Sequence, residues 1–397
     1  MLKNQLIIIP IFLPKGFPAD FEEQTAKFLS NKNKVIILRL WQGTTIFKLL
    51  TNKKKFSQFT KKVKTLNKNL VYFPIIHLLP FQRVSLIAKI NYQLVYFQIK
   101  LISKLIGKKP ILWIFYPNFK NLVGKLGEKL AIYDCVDFHS SPHPKIDKNK
   151  KNKEKKLLKK VDIVFTISPV LKKIKAKFHP KVFSVPQGVT NTNLFLKTPK
   201  SLLPEEFKKI PAPRIVFTGN INHRLDFKLI KKLTSNNPSW SFIFIGSSLL
   251  DNNLEKTIPI KKTLEKLKQK KNIYFITQKN KKELIGFLDH LDIGIIPYNM
   301  KNEAARFCHP MKTFEFFARG KPLISTPIEA LKPLKPFIKI ANNAKAFEKE
   351  IKIILKNGWP EKYKRKQKKI TLDNSPNNKF KKIDQILKKE FPYKFND

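Results

Sequence analysis

Several things are scarce in this chain, and each scarcity narrows what it is built to do. Cysteine occurs twice in 397 residues, at Cys135 and Cys308. Both lie in apolar runs, which excludes a disulfide scaffold, fits a reducing compartment and reads as core packing. Arginine occurs seven times against 73 lysines. A surface that reads nucleic-acid phosphates through planar forks would use more of it. With Lys, Asn, Ile and Phe all heavily used, the net charge of +52 looks as much like AT-rich coding as a selected basic surface. It confers affinity for anionic lipid and polyanions without identifying a function. Clusters of His, Cys and carboxylates at ligand spacing are missing too. Asp134-Cys135-Val136-Asp137 is too apolar in context for a divalent site, so neither metal nor cofactor is expected.

Long hydrophobic runs are also lacking. No segment approaches the ~18–20 uncharged apolar residues of a membrane span. The first residues, MLKNQLIIIPIFLPKG, carry one Lys and a short run broken by Pro10. No small-residue cleavage site follows, so Leu6–Ile11 is read as a buried strand and not a signal peptide. The longest candidate, Leu86–Ile106, is interrupted by Lys89, Lys100 and Lys104. It reads as an amphipathic helix that packs on a core and, in a sharper reading, also lies on a membrane surface.

What is present is enough for two cores: 42% apolar residues and 33 Phe over a length that suggests two domains. Short apolar runs alternate with helical patterns. In the first half they fall at Leu6–Ile11, Val35–Leu40, Ile111–Phe115, Leu130–Asp134, Ile163–Ile167 and Val182–Val185. In the second they fall at Arg214–Thr218, Ser241–Ile245, Ile273–Ile276, Asp292–Ile296 and Pro322–Ser325. Strands apolar throughout are covered on both faces, and alternation with helices builds parallel, doubly wound sheets. Residues 196–213 are rich in Pro and Lys and read as a linker. The expectation is an α/β protein of two Rossmann-like domains, 1–195 and 214–375, with a cleft between them. A last segment, 376–397, carries Phe380, Ile383, Ile386 and Leu387 at helical spacing. The Lys-rich stretch Lys145–Lys160 reads as a helix start and solvated loop.

In doubly wound sheets ligands bind at the carboxyl ends of strands. Those ends carry Gly219-Asn220 with Arg224 and Asp226, Gly246-Ser247, Thr277-Gln278, and Pro297-Tyr298. A helix expected over Pro310–Arg319 begins at the same edge. Its free N–H groups and dipole favour an anion, which would offset the unfavourable placement of Lys312 in its first turn. Glu315 lies three residues on and shares a face with Lys312. A carboxylate there accepts hydrogen bonds from ribose or sugar hydroxyls; the competing reading is a Lys–Glu pair on a solvated face.

The chain resembles retaining glycosyltransferases of family 4, of the two-Rossmann GT-B architecture, and in particular bacterial cell-surface polysaccharide transferases of the teichuronic-acid type. Residues 131–138, AIYDCVDF, are similar to the family's strand ending in Asp-x-x-Asp. Residues 161–195, 214–230 and 292–326 resemble its interdomain stretch, its donor-domain opening and its donor signature, with HPMKTFEFFARGKPLIST at the core. The resemblance implies a nucleotide-diphosphate sugar bound by the second domain and transfer without a metal. The diphosphate would be held by Arg224, Lys312 and the amides of Gly219 and of the Pro310 helix, with Glu315 on the ribose. Asn220, Gly246, Tyr298, His309 and Thr313 complete the expected donor set, with Asp137 and Asp134 as the expected first-domain catalytic groups. The acceptor implied is a cell-surface glycan or a lipid-linked chain, at the inner face of the cytoplasmic membrane, with anionic lipid as a partner and nucleic acid not. The last helix crosses back to the first domain. Three departures stand out, one being that the family's catalytic His is not evident, with Asp137 in roughly its place and Asp134 and His139 nearby. Phe307 replaces the first carboxylate of the Glu-x7-Glu motif, and the loop after the first strand, PKGFPADFEE, offers only Gly16. They prompt the competing readings of a lapsed transferase scaffold and, from charge alone, a polyanion-binding protein.

Overall fold

A computed structural model describes residues 2–11, 20–45, 51, 64–77, 85–139, 144–247 and 254–394. The chain divides into two compact units, residues 1–185 with 380–397, and residues 186–379.

The first unit is built on β1 (Leu6–Ile11), β2 (Lys34–Thr45), β3 (Lys64–Asn67), β4 (Leu70–His77), β5 (Pro110–Ile114), β6 (Leu130–Cys135), β7 (Ile163–Thr166) and β8 (Val182–Ser184). They form one sheet in the order β3-β4-β2-β1-β5-β6-β7-β8. Only the β3–β4 pairing in it is antiparallel among the described residues. The apolar runs are explained by their surroundings. β1, β5 and β6 are buried throughout, and alternate side chains feed two cores, one on each face of the sheet. β4 carries Pro74 opposite Arg39, next to a register shift, and a proline within the run masks it as a strand in the sequence.

The helix Pro144–Leu158 replaces the expected solvated stretch. The physical reason lies in its second half. Glu154, Leu157 and Leu158 are buried, so the lysine run coats only one side of a core helix. From Phe380 onward the helix Pro376–Glu390 belongs to the first unit, where Phe380 stacks on Phe28 at 4.3 Å.

The second unit holds β9 (Arg214–Thr218), β10 (Ser241–Ile245), β11 (Ile273–Ile276), β12 (Ile293–Ile296), β13 (Leu323–Ser325) and β14 (Lys339–Ile340). All pair in parallel, in the order β11-β10-β9-β12-β13-β14. This order reverses between β9 and β12, the topological switch point at which such sheets open a crevice. Residues 196–213, read as a linker, pack into this unit. Phe207 and Ile210 are buried in its core beside Phe195, and Arg214 ties the segment down by donating to the carbonyls of Ile210 at 2.9 Å and Phe207 at 3.1 Å. The change of unit falls earlier, between Val185 and Pro186. A Pro- and Lys-rich composition describes the segment's surface, while its two buried apolar anchors, Phe207 and Ile210, decide where it lies.

Candidate active site

The carboxyl ends of β9, β10 and β12 lie together because two glycines let them. Gly219 and Gly246 have φ of +113° and +154°, backbone that side chains rarely adopt. A Cβ on Gly246 would fall 2.2 Å from the Gly219 carbonyl oxygen. One on Gly219 would fall 2.7 Å from Lys312 Nζ. The Gly219 N–H donates to Ile245 O at 2.8 Å and the Gly246 N–H to Ile276 O at 3.0 Å. Gly219 therefore gives the site clearance for a cation, where an amide donor was expected of it. Asn220 is exposed, and its Oδ1 accepts from the Ser247 hydroxyl at 3.0 Å, bridging the two loops. Tyr298 is held by its N–H, which donates to Thr326 Oγ1 at 3.1 Å. The Arg224 carbonyl accepts from Asn299 N–H at 2.8 Å, which fastens the β9 loop to the end of β12.

The helix at this edge covers Lys312–Ala318, shorter than expected. Pro310 has no N–H, and the Thr313 and Phe314 amides donate back to Pro310 O and Met311 O at 3.1 and 3.0 Å. The opening turn thus spends donors that were expected to face an anion. Side chains carry the positive charge instead. Lys312 is half-buried, and its ammonium lies 3.9 Å from the centre of the Phe217 ring and 5.3 Å from that of Tyr298. Aromatic faces attract a cation, yet they hydrate it poorly. Burial pushes Lys312 down to about 7; Glu315 pulls the other way, while Arg224 and Lys281 add to the depression. Glu315 is buried and pairs with Lys281, from the start of the helix Lys281–His290, and not with Lys312. The solvated pair with Lys312 is thus replaced by a pair between a buried carboxylate and Lys281. Lys281 had no signal in the sequence, because its closeness to Glu315 depends on how two separate helices dock. Phe217 had a weak one, as the aromatic next to last in β9.

Three polar side chains near this edge lack partners. Both ring nitrogens of His309 are buried without a hydrogen bond among the described residues, as are Thr218 Oγ1 and Thr313 Oγ1. Burial moves His309 down to about 4, so the ring is neutral at physiological pH; it rests on Phe314 at 5.3 Å. An unsatisfied buried polar group costs about 1–3 kcal/mol, a cost that a well-packed protein retains only where something else is gained. Phe307, in the position expected of a carboxylate, has the Arg306 guanidinium 5.3 Å over its ring.

The first-domain candidates sit at the end of β6, in the other unit. Asp134 is buried and accepts from Trp113 Nε1 at 3.3 Å. Asp137 is half-buried, and its Oδ1 accepts from the Phe138 N–H at 2.8 Å. Beneath them lies a network that the sequence did not disclose. Glu154 pairs with Lys175 at 2.6 Å, both buried. The same carboxylate accepts from the Tyr133 hydroxyl at 2.7 Å, and Lys175 lies 5.5 Å over the Phe138 ring. Burial pushes the Cys135 thiol up to about 12, consistent with the packing role expected for it. Gly16 falls outside the described residues. Among the described residues no group of three or more His, Cys, Asp and Glu is placed to hold a metal.

Comparison with known proteins gives this geometry a setting. Residues 204–371 match the family model described as "Glycosyl transferases group 1". The chain is 26% identical over 247 residues to a putative teichuronic acid biosynthesis glycosyltransferase, TuaH, of Bacillus subtilis; the match takes in 58% of this chain and 59% of that relative. The whole chain superimposes on sucrose-phosphate synthase from Thermosynechococcus elongatus with a TM-score of 0.73 at 13% identity, covering 98% of this chain and 100% of that one. It also superimposes on Anabaena Alr3699/HepE, a structure holding UDP and glucose, with a TM-score of 0.67 at 12% identity, covering 96% and 98%. Likenesses this distant show the fold alone. The chain thus carries the two-sheet GT-B fold of these structures, and over residues 204–371, the part that holds Gly219, Gly246, Lys312 and Glu315, it matches the group 1 glycosyl transferases.

Proposed function

We propose that the protein transfers a sugar from a nucleotide-diphosphate sugar to a cell-surface glycan or a lipid-linked chain, with retention at the sugar carbon and without a metal ion. The reading rests chiefly on one observation: the Lys312 ammonium, stripped of much of its water and packed over Gly219 between two rings, pairs with no carboxylate among the described residues. A cation held in that state gains most from an anion that approaches it directly. Breaking the bond between sugar and diphosphate leaves negative charge on the departing phosphate oxygen. Lys312 and Arg224, fixed before the reaction, would stabilise it as it develops. Glu315, positioned by Lys281, would accept from the ribose hydroxyls. Asp137, half-buried just beyond β6, is the first-unit group proposed to meet substrate. Asp134 is committed to Trp113 and reads as a strand-end anchor.

A cell-surface glycan as acceptor is supported by the likeness to a putative teichuronic acid biosynthesis enzyme; action at the cytoplasmic face of a membrane is part of the proposal. The test is a panel of nucleotide-diphosphate sugars, each added with excess EDTA, with thermal stability and release of free nucleoside diphosphate as readouts. A ligand specific to the folded state raises its stability by mass action. One or more donors should stabilise the protein and turn over with an acceptor extract. Binding without turnover under any acceptor would instead favour a lapsed scaffold, the reading that Phe307 suggests. Turnover that appears only on adding Mg²⁺ or Mn²⁺ would contradict the metal-free clamp.

A further inference from the structure

The helix Ser85–Ile106 of the first unit has one face committed to the protein and another that is not. Val95 and Ile99 are buried in the unit's core, and the Tyr96 hydroxyl donates to Asn121 O at 2.8 Å. On other positions of the same helix large apolar side chains stand in solvent: Leu86 is 66% exposed, Phe97 62% and Leu105 78%, with Ile90 and Leu101 exposed as well. At about 100° of rotation per residue these five positions fall within an arc of roughly 100°. They form a continuous stripe, not scattered exceptions. An exposed apolar row of this length marks a contact surface.

The charges on the helix indicate what covers the stripe. Its 22 residues contain no Asp or Glu. Lys100 and Lys104 are exposed beside Phe97, Leu101 and Leu105. Among the described residues no helix is long and apolar enough to cross a membrane, so the stripe suits a surface and not a span. A second copy of the chain would bring the same lysines against each other on a molecule already at +52, which disfavours pairing. A nucleic acid would meet the lysines and leave the aliphatic row in water.

We propose that this helix lies flat on an anionic lipid bilayer. Leu86, Ile90, Phe97, Leu101 and Leu105 enter the boundary between headgroups and acyl chains, and Lys100 and Lys104 meet lipid phosphates. Apolar burial and charge attraction then act on the same face. The inference deepens the proposed site of action, yet vesicle binding needs no nucleotide sugar, so it fails or stands separately from the glycosyl-transfer reading.

The experiment is co-sedimentation of the full chain with phosphatidylcholine vesicles with and without phosphatidylglycerol, at physiological salt. Binding is expected only to the anionic vesicles. Each basic residue near such a surface is worth about fivefold in partitioning, so K100E with K104E should lower binding by at least about 25-fold. Phe97→Ser with Leu101→Ser should lower it by on the order of tenfold. Lys366→Glu with Lys369→Glu removes equal charge from exposed positions on the helix Glu361–Asp373 of the other unit and should leave binding within about twofold. All substituted positions are exposed, and unchanged thermal melting would verify that each variant folds. Equal losses in both charge-reversed pairs would overturn the proposal in favour of general stickiness. So would a dimer in solution dispersed by the Phe97 and Leu101 changes, or RNA binding abolished by K100E with K104E while vesicles are ignored.

Discussion

Each unit buries a cluster of polar side chains, and the two clusters are finished to different degrees. In the first unit Glu154, Lys175 and Tyr133 satisfy one another at 2.6 and 2.7 Å. In the second, Lys312 faces rings instead of a carboxylate, and His309, Thr218 and Thr313 leave buried polar atoms unpartnered among the described residues. A closed network holds its own shape. An unclosed one keeps its polar groups in a state that a ligand can improve, at a standing cost in stability. The contrast holds for these two groups of residues and not for the units as wholes, since in the first unit His139 Nε2, beside the Tyr133 ring, and the Thr25 and Ser184 hydroxyls are also buried without a partner among the described residues.

The largest effect expected lies in the closed cluster. Lys175→Met leaves Glu154 buried and uncompensated and should cost roughly 3–5 kcal/mol of stability by denaturant unfolding, while nucleotide-sugar affinity per folded molecule stays unchanged. If Lys175→Met unfolds no more easily than the wild type, the two clusters do not differ in the way described. Next comes Gly219→Ala. Its Cβ would displace the Lys312 ammonium in a backbone conformation unfavourable to alanine. Strain of this kind costs about 1–3 kcal/mol, and turnover should fall by on the order of tenfold or more. Full activity with normal stability would mean that the ammonium does not need that position.

The open cluster should respond in the opposite sense. His309→Leu removes two unpartnered nitrogens. It should leave stability unchanged or raise it by about 1 kcal/mol, while weakening donor binding by about tenfold if the ring meets the ligand. A destabilised variant with unaltered binding would make His309 a packing residue. The smallest effect is one of pH. Lys312 sits near 7 in the free protein because burial opposes its charge, and a bound diphosphate would raise it. Binding then takes up a proton above about 7, and affinity should fall with rising pH by at most about tenfold per unit. Because the folded state holds this proton less tightly than the unfolded chain, stability of the free protein gains from this group as pH rises from about 7 towards the ordinary lysine range. Calorimetry in buffers of different ionisation enthalpy measures the uptake directly. A pH-independent affinity would contradict it.

The parallel sheets were legible because strands buried on both faces are apolar from end to end. β9, β10 and β11 fall where the runs lie. β4 was hidden by Pro74, and β14 is only two residues long. The site was legible in part. Glycines at strand ends and Lys312 in a first turn are local features, and the structure gathers them at one edge of the sheet. What each does was not local. The Gly219 amide turned out to be used by Ile245, and Glu315 to be held by Lys281, contacts made between elements far apart in sequence. The Glu154–Lys175 pair was invisible for the same reason, inside a run whose composition alone says solvent.

The most direct test of the account is calorimetric titration of a nucleoside diphosphate into the wild type and Lys312→Met, in EDTA. The account predicts binding to the wild type, a loss on the order of 10²-fold in Lys312→Met, and a variant at least as stable as the wild type. Equal affinity in the two proteins, or a variant that loses stability along with binding, would contradict it.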